Sequence, residues 1–150
     1  MDFDKAYPKE DTAKVETGVW QPISDSFKVL VRKAGNEQFI EATKKTFRPH
    51  RVAIQRNLMP DKDITALACK VLAKTILVGW EGDATFGGQP VGSYSVARAE
   101  QLLNEFPRFR EDVVKFSEDE GAYAVDAVEA EVKNSSSTSS GSSSGASSSQ

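Results

Sequence analysis

One stretch near the middle of the chain, Asp61 to Trp80, constrains everything around it. Ile64, Leu67, Ala68, Val71, Leu72 and Ile76 recur at intervals of three and four residues, while Lys62, Lys70 and Lys74 fall largely on another face. That spacing predicts an amphipathic helix starting at Asp61 or Asp63, just after Pro60. Ile76, Leu77, Val78 and Trp80 then make its last turn apolar all round. A helix end with no polar side has to be enclosed by other elements, so the centre of the core is expected there.

Upstream, Phe27, Val29 and Val31 alternate with Lys28, Leu30 and Arg32, and Ser24-Asp25-Ser26 separates them from Gly18-Val19-Trp20-Gln21-Pro22-Ile23. Alternation at period two on either side of turn residues predicts a β-hairpin with one face inward. Pro22 confines the first strand to an edge or forces a bulge in it. Two strands alone are marginally stable, so helices must cover this ribbon.

Those helices can be placed. Asn36 can cap one carrying Phe39, Ile40, Thr43 and Phe47, and Pro49 should kink or restart it before Val52, Ile54 and Leu58. A second runs from Ser95 to Phe106 and is stopped by Pro107. A last one is expected from Arg108 to Lys133, using Phe109, Val113, Phe116, Tyr123, Val128 and Val132, with Gly121 as a weak point. Trp80 to Gly92, with four glycines and a proline, reads as a loop.

The fold class is therefore α+β, mostly α: an N-terminal β-hairpin packed on four to five amphipathic helices. Residues 1–14 form a flexible arm, residues 15–134 a single α-rich domain, and residues 135–150, with 11 serines in 16 positions, a disordered Ser/Gly tail. The tail lacks apolar surface to offset the entropy of ordering, so the domain should fold without it. Trp20, Phe27, Phe39, Phe47, Leu67, Val71, Leu72, Ile76, Trp80, Leu103, Phe109 and Phe116 make up the expected core.

Composition excludes most enzyme chemistries. One cysteine, Cys69, rules out an internal disulfide, and one histidine, His50, rules out a multi-histidine metal site. There is no Walker-type loop, no Rossmann glycine fingerprint and no nucleophile elbow. Gly82 to Gly88 is glycine-rich but carries no lysine for a phosphate. No catalytic residue, cofactor or metal is expected, and the chain is read as not an enzyme. No apolar run approaches the ~20 residues of a membrane span, and Met1-Asp2-Phe3-Asp4 has no apolar leader core. Asn134-Ser135-Ser136 fits the glycosylation acceptor pattern, which a cytoplasmic chain would leave unmodified.

Charge is distributed unevenly. Lys28 to Lys62 holds nine basic and three acidic residues, and Glu100 to Lys133 ten acidic and four basic ones. Such a chain can attract copies of itself or close the two regions on each other; self-association is expected. Lys44, Lys45, Arg48, Arg51 and Arg56 form the candidate electrostatic interaction surface. Nucleic-acid binding through this kinked helix is the lesser reading, since no aromatic platform accompanies the cations.

The order of landmarks carries a resemblance. Gly18-Val19-Trp20 opens a strand. Phe27-Lys28-Val29-Leu30-Val31-Arg32-Lys33 runs through Gly35-Asn36 to Phe39, and Arg48-Pro49 interrupts a basic helix. Ile76-Leu77-Val78-Gly79-Trp80-Glu81-Gly82 precedes the glycine-rich loop. Tyr94-Ser95 leads to Leu102-Leu103, and Phe106-Pro107-Arg108-Phe109 precedes an acidic end. Over roughly residues 17–134 this resembles the tail assembly chaperones of long-tailed, siphovirus-like bacteriophages. The resemblance implies a protein of the host cell cytoplasm that binds the phage tape measure protein, keeps it soluble, helps recruit tail tube protein and is missing from the mature virion. It also implies a longer product made by ribosomal frameshifting, for which Val132-Lys133-Asn134 is a permissible slip site. The alternative is a small structural or connector protein of the phage particle.

Overall fold

The computed structural model describes residues 1–126. The architecture is α+β and mostly α. Its elements are the short helices α1 (Phe3–Ala6) and α2 (Thr12–Thr17), strands β1 (Val19–Ser24) and β2 (Phe27–Val31), and helix α3 (Glu37–Phe47). A 3-10 turn (Arg48–His50) leads into α4 (Arg51–Gln55), which is followed by α5 (Asp61–Thr75) and β3 (Leu77–Gly82). A small ribbon, β4 (Thr85–Phe86) and β5 (Gln89–Pro90), precedes α6 (Val96–Glu105), α7 (Pro107–Ser117) and a second 3-10 turn (Glu120–Tyr123). The expected Ser/Gly tail, the acceptor at Asn134 and the slip site at 132–134 lie outside the described residues.

β1 and β2 form the expected hairpin, with β1 at the edge and its register shifting between Pro22 and Ser24. The helix starts are also where their caps put them. Asn36 Oδ1 accepts from Phe39 N at 2.9 Å, and Ser95 Oγ accepts from Arg98 N at 3.1 Å; each satisfies an amide that the first turn leaves without a partner. Pro107 stops α6 and opens α7 at a position where its missing N–H costs nothing.

The centre of the core is where expected, but its secondary structure is not. α5 ends at Thr75, and Leu77–Gly82 is a strand rather than an apolar last turn, pairing antiparallel with β2. Branched Ile76 and Val78 and aromatic Trp80 favour an extended chain, and β2 has a second edge to fill. The register shift between Leu30 and Val31 leaves Val78 as an extra residue. Residues three apart in a regular strand face opposite ways; the bulge lets Leu77 and Trp80 both point into the core, where both are buried. Tyr94 Oη lies 2.9 Å from the Ala73 carbonyl oxygen and 2.8 Å from that of Leu77, bridging the helix end and the strand start.

Trp20 is a second correction. Val19 pairs with Val31 and Trp20 with Leu30, which turns Trp20 to the outer face of the sheet, 40% exposed. There the Lys28 ammonium sits 4.8 Å from its ring centroid. Phe27, Val71, Leu72, Ile76, Trp80 and Leu103 are buried as expected, while Phe39, Phe47, Leu67, Phe109 and Phe116 are half-buried. Part of the expected loop is the β4–β5 ribbon, turned by Gly87 and Gly88, both with positive φ.

The last helix stops at Ser117, short of the expected run, of which Val128 and Val132 lie outside the described residues. After it, the 3-10 turn delivers Tyr123, whose fully buried hydroxyl donates to the Val31 carbonyl at 2.7 Å. Beyond Tyr123 the chain meets its own beginning: Asp11 N donates to Tyr123 O at 2.7 Å, Val125 N to Lys9 O at 2.9 Å, and Glu10 bridges Ala124. Lys33 Nζ pairs with Glu10 at 3.1 Å. Residues 9–14, expected to be part of a flexible arm, thus have backbone partners that composition alone does not reveal.

Candidate interaction surface

Pro49 creates the site. It cannot donate a backbone hydrogen bond, so α3 ends at Phe47 and the chain passes through one 3-10 turn before α4 restarts at Arg51. Asn57, at φ 56°, closes α4 in the left-handed conformation, with Leu58 N donating back to Ala53 O at 2.8 Å. α3 packs on α5, whereas α4 has its chief contact with the turn that precedes it. Neither α3 nor α4 contains a fully buried residue.

The bent arm encloses an open groove of about 440 Å³, lined by Thr43, Lys44, Phe47, Arg48, Arg51, Ile54 and Gln55. Its floor is apolar: Phe47 and Ile54, seven residues apart, face it from the two helices. Ile40 (44% exposed), Val52 (58%) and Leu58 (70%) add apolar surface along the same arm. The Thr43 hydroxyl oxygen is out of solvent and has no hydrogen-bond partner.

Three of the five candidate cations, Lys44, Arg48 and Arg51, come together on this groove. Lys45 faces a broader depression of about 1000 Å³ on the α5 side, shared with Lys74, Glu37 and Glu41, which Lys44 and Arg48 also border. Arg56 caps α4 and lines neither. All five are exposed. The ion pairs among the described residues are Lys28–Glu81, Lys33–Glu10 and Arg108–Glu111, so no acid within 4 Å neutralises any of the five. The floor went unrecognised in the sequence, where Phe47 reads as core. The sequence signal that bears on it is Pro49 between Phe47 and Ile54, which bends the two away from one continuous helix face.

Elsewhere the titratable groups with shifted values are shifted chiefly by burial. Burial raises the Cys69 thiol, and the neighbouring Arg110 guanidinium, 3.9 Å from Sγ, only partly opposes it. Burial likewise raises the Tyr94 phenol. Among the described residues, no three His, Cys, Asp or Glu side chains gather as a metal-binding group, and no helix is long and apolar enough to cross a membrane.

Residues 34–134 match the family model described as YdaY prophage protein. The chain belongs to the YdaY prophage protein family. The matched stretch begins just after β2 and takes in the whole bent arm, α5, β3, α6 and α7. No curated protein and no solved structure matches the chain. This YdaY-family chain is thus phage-derived, and its groove is a feature of the part that the family model covers.

Proposed function

We propose that this YdaY-family protein is a tail assembly chaperone. It binds the tape measure protein in the host cytoplasm, keeps it from aggregating and hands it to polymerising tail tube protein. It does not remain in the finished virion. The observation that carries this reading is the bent arm, whose apolar residues Phe47, Val52, Ile54 and Leu58 are only partly covered or exposed beside exposed cations. A chaperone of a long helical protein needs apolar helix surface rather than an enclosed pocket, with anchors at helical spacing. The phage origin and the landmark order described above support the same reading. A frameshifted product that replaces the tail from near Lys133 would engage the tube protein.

Co-expression with the tape measure protein of the same prophage tests it. The tape measure protein should become soluble and co-purify, and mass spectrometry of purified particles should find none of this chain. Its presence in particles at a fixed copy number would make it a connector instead.

The exposed cations also favour a second reading, nucleic-acid binding. Mobility shift at two salt concentrations decides it, since phosphate contacts weaken steeply as salt rises. No shift with duplex or single-stranded DNA at low salt removes this reading.

A further inference from the structure

We propose that the α3–α4 groove recognises one acidic amphipathic helix of the partner, with apolar residues at i, i+3 or i+4, and i+7 on its docking side and carboxylates beside them. The proposal rests on the chaperone reading and specifies the segment such a partner must present. Three observations support it. The floor is apolar, with Phe47 and Ile54 one heptad apart across the proline turn. Lys44, Arg48 and Arg51 line the same groove as that floor, one before the proline turn, one within it and one after it. Among the described residues no carboxylate lies within 4 Å of these cations, so an arriving acid gains a partner without displacing one of those.

A volume of about 440 Å³ suits a few anchoring side chains, while the helix carrying them stays outside. A nucleic acid would leave the aliphatic floor unused, because Phe47 is its lone aromatic group. A second copy of the chain fits less well. Helix α7 sets Glu111 and Asp112 against Arg108, Arg110 and Lys115, and has Val113 buried and Phe109 and Phe116 packed against the core. Its outward face therefore offers neither a net acidic flank nor the anchors that the floor requires.

The test uses the full chain and three synthetic peptides of about 18 residues. One is a helix with a leucine stripe and glutamates elsewhere, one carries lysines in place of the glutamates, and one keeps the glutamates but has glutamine in place of leucine. Fluorescence anisotropy should detect binding of the first alone, weakening as salt rises. Arg48→Glu/Arg51→Glu should reduce its affinity at least about tenfold, with circular dichroism and Tm unchanged. Arg108→Glu, an exposed change on α7, should leave it unaltered.

Equal binding of the lysine peptide, or an affinity indifferent to the Arg48/Arg51 reversal, overturns the proposal. So does light scattering that shows a dimer dissolved by that reversal, because a second copy would then be the occupant. The chaperone reading fails separately. If the acidic peptide binds but the tape measure protein stays insoluble, the groove assignment stands without it. If the tape measure protein co-purifies equally well with the reversed variant, the chaperone reading stands and the groove is not its site.

Discussion

Tyr123 hydrogen-bonds the Val31 carbonyl oxygen across 92 residues of sequence, joining the last described turn to the middle strand of the sheet. Removal from water, with the Asp119 charge adding to it, pushes the phenol up to about 12. A group whose folded pKa is raised above its unfolded value of 10 stabilises the fold fully below that value. The contribution disappears as pH climbs through the folded pKa. Stability should therefore decline between about pH 10 and 12. Tyr123→Phe should begin about 1–2 kcal/mol lower at neutral pH, from the lost hydrogen bond, and should decline less across that window. Urea titrations of both proteins at pH 8, 10 and 11.5 would check this; parallel declines would exclude Tyr123 as the source.

The two tryptophans should respond in opposite ways. Trp80 is buried, donates from Nε1 to the Gly92 carbonyl at 2.8 Å and meets the Tyr94 ring edge-on at 4.9 Å. Trp80→Ala should cost about 3–5 kcal/mol. Trp20→Ala removes a half-exposed ring and one cation–π contact, and should cost about 1 kcal/mol. Denaturant midpoints at constant slope give both values, and equal costs would contradict the sheet register.

Gly82 should tolerate no side chain. Its φ is 109°, and a Cβ there would lie 2.0 Å from the Ser26 carbonyl oxygen, which already accepts from Asp83 N. Gly82→Ala should cost at least about 3 kcal/mol by combining strain with a backbone clash. Gly87→Ala, also at positive φ but with open space around it, should cost about 1 kcal/mol. Thermal melts of the pair separate the two effects.

Truncation should divide the N-terminal segment. Removing residues 1–8 deletes α1, which buries nothing, and should leave Tm unchanged within error. Removing residues 1–17 deletes the partners of residues 123–125 and the Glu10–Lys33 pair, and should lower Tm by at least about 4 °C. Equal melting of both truncations would show that the contacts at 9–14 contribute nothing.

What the sequence made legible was local. Asn36 and Ser95 cap the helices they precede, Pro49 and Pro107 break them, and Phe27, Val29 and Val31 face inward because alternation leaves them no other option. What it hid depends on distant partners. Ile76 to Trp80 continues a helical spacing, yet β2 needs a neighbour, and that demand lies some fifty residues upstream. Trp20 looks like core until the pairing of Val19 with Val31 sets its face. The groove divides the same way. The cations that line it follow from their spacing, but the half-covered state of Phe47 depends on how α4 is placed, with its chief contact among the described residues being the turn before it, which no local pattern records.

The meeting of residues 9–11 with residues 123–125 also carries a cost in time. Synthesis proceeds at about 5–20 residues per second, so roughly 5–18 seconds pass between making Val31 and making the tyrosine that bonds to it. For that interval the nascent hairpin exists without its closing contact, while β3, needed to cover one of its edges, is itself still to come. A chain wired in this way cannot make its closing contacts until its final described turn has left the ribosome.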